Sequence, residues 1–138
     1  MIKHDKLPTD ILKRLHMLKP LFAQDQHVLF AFLFGGLARG AVQPLSDVDI
    51  AVYLKDCSNK AELKLELTGR LSEALGTDEI DLVILNDAPL SLVGRILKHR
   101  RLIVDKEPFL RHSFESRIMR EFFDFTRKEQ DILFRRFA

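Results

Sequence analysis

Three short apolar runs constrain this chain most: HVLFAFLF (His27–Phe34), DVDIAVYL (Asp47–Leu54) and EIDLVIL (Glu79–Leu85). Runs of strand length that stay apolar at successive positions belong to strands buried on both faces. Such strands need helices to cover them, and the sequence supplies these. Between the second and third runs, Leu63, Leu67, Leu71 and Leu75 recur every four residues across Lys60–Leu75, a helix closed near Gly76. Upstream, Ile11, Leu12, Leu15 and Leu18 repeat at helical spacing, with Thr9 or Asp10 as cap and Pro20 as the end or kink. Downstream, Leu90–His99 predicts a shorter helix and Arg101–Val104 a brief strand. From Phe109 onward, Phe114, Ile118, Phe122, Phe125, Ile132 and Phe137 predict a long amphipathic helix with room for one break near Thr126. The expectation is an α/β (α+β) fold: a small mixed sheet flanked by helices, in a single domain over residues 1–138.

Composition narrows the function classes. With 138 residues, 46% hydrophobic and 30% charged, the chain can bury a core and does not read as disordered. No apolar run approaches the ~20 residues that span a bilayer. The start, MIKHDKLPTD, lacks the apolar segment of a secretory signal, and the lone Cys57 excludes an internal disulfide. These features predict a cytoplasmic protein away from membranes. His4, His16, His27, His99 and His112 show no metal-ligand spacing. A net charge of +2 is too small to predict direct nucleic-acid binding. Arginines and lysines nevertheless crowd the region from Gly94 on, among them Arg117, Arg120, Arg127 and Lys128. That is either a solvated helix face or a surface for phosphates or an acidic protein. Seven of the eleven phenylalanines also fall from Phe109 onward; their first reading is core packing, and the second is a surplus that forms a partner surface.

The chemistry sits in three acids and a glycine turn. Side chains alternate along a strand, so Asp47 and Asp49 share a face, about 7 Å apart along it. Their flanks, Val48, Ile50 and Val52, are apolar. Two like charges beside a buried sheet are poorly solvated, and a bound cation relieves both penalties. Asp81 lies inside another apolar run and joins the pair if those strands are neighbours. Three converging carboxylates suit Mg²⁺ or Mn²⁺, and two ions about 4 Å apart serve in-line phosphoryl transfer. The turn GGLARG (Gly35–Gly40) follows the first run directly. Glycines let the backbone approach a ligand, and successive N–H groups cradle phosphate oxygens. A helix starting at Leu37 adds its dipole, and Arg39 adds a cation. Ser46, just before Asp47, steadies the turn by hydrogen bonding.

The segment FGGLARGAVQPLSDVDIAVYL resembles the motif of the polymerase-β-like nucleotidyltransferase superfamily: Gly-Ser, ten residues, then Asp-x-Asp. Gly35 and Gly36, the ten residues Leu37–Ser46, and Asp47 and Asp49 match that spacing. The short chain, the A-R-G after the glycines and the Phe- and Arg-rich C-terminal helix are similar to the minimal nucleotidyltransferases (MNT), commonly antitoxins paired with a helical HEPN-type ribonuclease toxin. This resemblance implies the polymerase-β-like fold, two Mg²⁺ ions, ATP as donor and a toxin tyrosine as acceptor of AMP. It implies that Asp47, Asp49 and Asp81 are both catalytic residues and metal ligands, with Gly35, Gly36, Arg39 and Ser46 on the nucleotide. One position departs from the pattern: the family's serine is Gly36 here. The alternative reading is therefore an antitoxin that neutralises its toxin by contact alone.

Overall fold

The computed structural model describes residues 8–40, 47–56 and 58–137. Four strands, β1 (Val28–Phe34), β2 (Val48–Leu54), β3 (Ile80–Ile84) and β4 (Arg100–Asp105), form one sheet in the order β3-β2-β1-β4. The central strand β1 runs antiparallel to β2 and β4, and β2 and β3 are parallel, so the sheet is mixed. Parallel neighbours need a crossover, and α4 (Lys60–Leu75) makes it between β2 and β3. Its four-residue leucine period is realised: Leu67, Leu71 and Leu75 are buried, Leu63 packs half-buried against the same core, and Gly76 follows in the left-handed conformation at φ +69°. Each of the three buried leucines contributes roughly 1.5–3 kcal/mol by leaving water.

Alternation sorts the strand residues onto two cores. Val48, Ile50, Val52 and Leu54 face one layer, made of α4 and the N-terminal helices with Ile11, Leu18 and Phe22. Phe30, Phe32 and Ala51 face the other, made of α5 (Leu90–Lys98) and α6 (Pro108–Phe137) with Ile96, Leu97, Phe114 and Ile118. The first turn of β1 is fixed by a buried acid. Asp25 accepts the N–H groups of His27 and Val28 at 2.8 and 3.1 Å, and Arg70 of α4 holds its other oxygen at 2.8 Å.

Two expected element boundaries are corrected. The N-terminal helix is split into α1 (Ile11–Arg14) and α2 (Leu18–Gln24) by a 3-10 turn over Leu15–Met17. Pro20 does not end it but sits in the first turn of α2, where a missing N–H leaves no hydrogen bond broken. The break falls ahead of it, where a continuous helix would drive the proline ring into the carbonyl of His16. Asp10 stands at the N-cap without a side-chain cap bond and instead holds Arg14 at 3.0 Å. The long helix α6 has no break at Thr126, whose hydroxyl donates to the Phe122 carbonyl at 3.0 Å within the helix. Its apolar stripe is core only in part. Phe114 and Ile118 are buried, whereas Phe123, Ile132 and Phe134 are 63–75% exposed. Among the described residues no helix is long and apolar enough to cross a membrane.

An ion network ties β4 to α6. Arg111 bridges Asp105 at 2.8 Å and Glu115 at 2.5 Å, and Glu115 also meets Arg100. Burial disfavours the Arg111 cation, but hydrogen bonding to Asp105 and the charges of Glu115 and Asp105 outweigh it and raise its pKa above the ordinary arginine value. Arg111→Ala leaves two largely buried carboxylates with one cation fewer, and it should lower unfolding free energy by about 3 kcal/mol. Urea denaturation measures this, and a loss under about 1 kcal/mol would mean that Arg100 alone suffices.

Candidate active site at the β1–β2–β3 end of the sheet

Strand pairing places the sequence-marked residues at one end of the sheet. Asp49 of β2 is the register partner of Asp81 on one side and of Phe34 on the other, and Phe34 pairs in turn with Arg100. Register partners share a face, so Asp81, Asp49, Phe34 and Arg100 form a transverse row on the α5–α6 side. Asp47 immediately precedes β2 and, two residues from Asp49, lies on that same face. Asp47 and Asp49 are half-buried and Asp81 is exposed.

The glycine turn meets this row directly. Gly35 follows Phe34 and has φ +71°, a conformation that disfavours any side chain. A Cβ on Gly35 would lie 2.1 Å from Asp49 Oδ2 and 3.0 Å from its Cγ. The carboxylate of Asp49 thus rests against the bare α-carbon of Gly35. The helix expected from Leu37 starts at Gly35 and is one turn long, α3 (Gly35–Ala38). Few aligned peptides mean little dipole, so what the turn offers an anion is its leading N–H groups, which have no acceptor within the turn. The turn is closed behind them: Arg39 N–H donates to the Gly35 and Gly36 carbonyls at 3.3 and 3.2 Å, and Gly40 N–H to Leu37 at 3.1 Å. Gly36 is not among the positive-φ glycines, which are Gly35, Gly40 and Gly76. Arg39 is exposed at the end of the turn. Ser46 and Cys57 lie outside the described residues.

The donor chemistry fits Mg²⁺: carboxylate oxygens and no softer ligand. The three acids do not form a ready-made cage, however, and among the described residues no group of three or more His, Cys, Asp or Glu is arranged to hold one ion. Mg²⁺ seldom needs such a cage, since one or two carboxylates with water and substrate phosphates complete its shell. At this end of the sheet Asp47 and Asp49 share one face, and Asp81 is the register partner of Asp49.

Two neighbours were not singled out from sequence. Glu79 precedes β3; its carbonyl accepts Val48 N–H at 2.9 Å and the residue is buried, 8% exposed. Phe34 separates Asp49 from Arg100 in the transverse row. Glu79 stands two residues before Asp81, a spacing that the sequence does show, whereas only the strand order brings Phe34 between Asp49 and Arg100.

The profile of the family "Polymerase beta, Nucleotidyltransferase" matches residues 16–109. No curated protein matches the chain. Among solved structures it is similar to a MntA–HpeT toxin–antitoxin variant in which two aspartates, two positions apart, are replaced by glutamate. The TM-score there is 0.70 at 23% identity, over 91% of this chain and 98% of that one. It is similar also to a toxin–antitoxin structure with AMP-PNP, at TM-score 0.69 and 24% identity, over 91% and 98%. A third is the tri-AMPylated HEPN toxin of Shewanella oneidensis in complex with MNT antitoxin, at TM-score 0.67 and 21% identity, over 93% and 99%. At these identities the likeness is one of fold.

Proposed function

The chain belongs to the polymerase-β nucleotidyltransferase family, and from that premise we propose that it moves AMP from ATP to a tyrosine of a HEPN-type toxin, so acting as an antitoxin. The observation that carries this reading is the pairing of Asp49 with Asp81 beside the Gly35 turn. The AMP-PNP complex and the tri-AMPylated toxin among the similar structures support ATP as donor and a toxin as acceptor.

Each residue has a distinct task. Backbone N–H groups of the Gly35–Gly36 turn hold phosphate oxygens, and Arg39 adds positive charge at the turn's end. Asp47 and Asp49, with Asp81 on the acceptor side, would hold two Mg²⁺ ions together with the triphosphate; such ions neutralise phosphate charge and lower the pKa of a bound hydroxyl. Asp81 orients the acceptor hydroxyl and takes its proton. The acceptor oxygen bonds to the α-phosphorus as the bond from that phosphorus to its bridging oxygen breaks, and pyrophosphate leaves. The exposed end of α6, with Phe123, Phe134 and Arg120, supplies the aromatic and arginine anchors typical of a protein interface. The chain works in the cytoplasm, where ATP and such a toxin meet.

Gly36 favours a second reading, because it removes the hydroxyl that the family motif places on the phosphates. Here the protein neutralises its toxin by contact alone. Incubation with labelled ATP, Mg²⁺ and the cognate HEPN-type protein separates the two, since only the enzyme leaves AMP on the toxin. Gly36→Ser sharpens the comparison. Its backbone φ does not exclude serine, and one hydrogen bond to a charged phosphate is worth ~1.5–3 kcal/mol. Transfer should rise by up to about a hundredfold if that bond is missing in the wild type. An inert wild type awakened by the serine identifies a degenerate enzyme. Absence of ATP binding by calorimetry in both proteins removes the enzymatic reading.

A further inference from the structure

We propose that the groove beside the outer edge of β3 is the acceptor site, and that it takes an extended peptide segment carrying the modified hydroxyl; this rests on the transferase reading above. The groove has a volume of about 480 Å³ and is floored by Asp81, Leu82 and Ile84, between the start of α4 (Lys60, Ala61) and the start of α5 (Leu92).

Sheet order gives the first argument. Asp49 lies between the Gly35 turn on the β1 side and Asp81 on the β3 side. In-line displacement requires the entering oxygen to stand opposite the leaving pyrophosphate. With the phosphates held at the turn, the acceptor must arrive across Asp81, and the groove opens there.

Backbone chemistry says what kind of acceptor fits. Among the described residues β3 is the last strand of the sheet. Val48 N–H donates to Glu79 and Leu85 N–H to Val52, so the odd-numbered residues of this stretch spend their backbone groups on β2. In a parallel ladder the even-numbered Leu82 and Ile84 then point N–H and C=O to the other side, into the groove. An edge strand flanked by helices on both faces is a template for one more strand, whose main chain pairs while alternate side chains enter pockets. The length from Asp81 to Ile84 accommodates about four residues of such a strand. Apolar walls at Leu92 and Ala61 suit an aromatic residue with its hydroxyl at Asp81. Asp87, which also lines the groove, offsets Lys60, and Lys64 is left on the α4 side to favour an acidic residue at that flank of the incoming segment.

The test uses the full chain and its cognate HEPN-type protein. Ala61→Trp fills the groove from an exposed position on α4. It should raise the acceptor KM about tenfold with little change in kcat, the effect of losing one anchor contact. Lys64→Glu, a surface charge reversal, should raise the same KM if Ala61→Trp folds poorly. Independently, the amides of Leu82 and Ile84 should exchange about tenfold more slowly once the partner is bound. An unchanged acceptor KM in both variants overturns the proposal, as do Leu82 and Ile84 amides that exchange at the free rate in the presence of the partner. Protection of those amides in a complex that transfers no AMP supports the docking site and counts against the transferase reading alone.

Discussion

Asp49→Asn should reduce AMP transfer by about a thousandfold while leaving the sheet in place. Asparagine has the size of aspartate and keeps one carbonyl oxygen, so Asp49's register with Phe34 and Asp81 has no reason to shift. What disappears is a negative charge at the centre of the row, flanked by the glycine turn and Asp81. An ion held there supplies several kcal/mol of transition-state stabilisation, and ~4 kcal/mol corresponds to about a thousandfold in rate. Stability should move the other way. Like charges directly opposite on neighbouring strands are destabilising, typically by about 0.2–1 kcal/mol. In EDTA the variant should therefore melt no lower than the wild type, and Mg²⁺ should stabilise the wild type more than the variant. Transfer at the wild-type rate by Asp49→Asn contradicts the metal-dependent mechanism. Lost activity with a lowered melting temperature in EDTA makes Asp49 a structural residue instead.

Much of this arrangement is legible in the sequence because local patterns carry it. The four-residue leucine period defines α4 to the residue, and the apolar runs locate β1, β2 and β3 within one residue at each end. The Gly-Gly, ten residues, Asp-x-Asp spacing puts the turn and two acids together, since one strand follows the other across a short connection. The rest depends on long-range pairing. Nothing in EIDLVIL says that its strand lies next to β2 and not β1, yet that neighbourhood makes Asp81 the partner of Asp49. The same holds for Arg100, which reaches the row only because β4 pairs with the far side of β1. At the C-terminus periodicity gives the helix but not its partner. Phe125 and Ile132 repeat as core residues would, yet α6 extends past the body of the protein and leaves them exposed. An amphipathic pattern marks a face to be covered, and it does not say whether this chain or another covers it.

The comparison of Gly35→Ala with Gly40→Ala isolates how the turn serves the acids. Both glycines have positive φ, +71° and +79°, so an alanine at either site bears the same backbone penalty, about 1–2 kcal/mol. Their surroundings differ. At Gly40 nothing lies within 4 Å of an added Cβ, whereas at Gly35 the methyl would sit 2.1 Å from Asp49 Oδ2. Real atoms do not approach so closely, so either the turn or the Asp49 carboxylate must move. A displacement near 1 Å at a reacting centre can lower a rate about a hundredfold. Gly35→Ala should thus lose transfer on that scale, whereas Gly40→Ala should lose stability by the backbone penalty and retain most of its activity. Thermal melts paired with transfer rates on the two proteins decide the matter. If the two variants lose activity equally, the turn acts only through its φ angles and Gly35 has no special role towards Asp49. If Gly35→Ala alone is inactive while both melt alike, the bare α-carbon of Gly35 is what seats the Asp49 carboxylate.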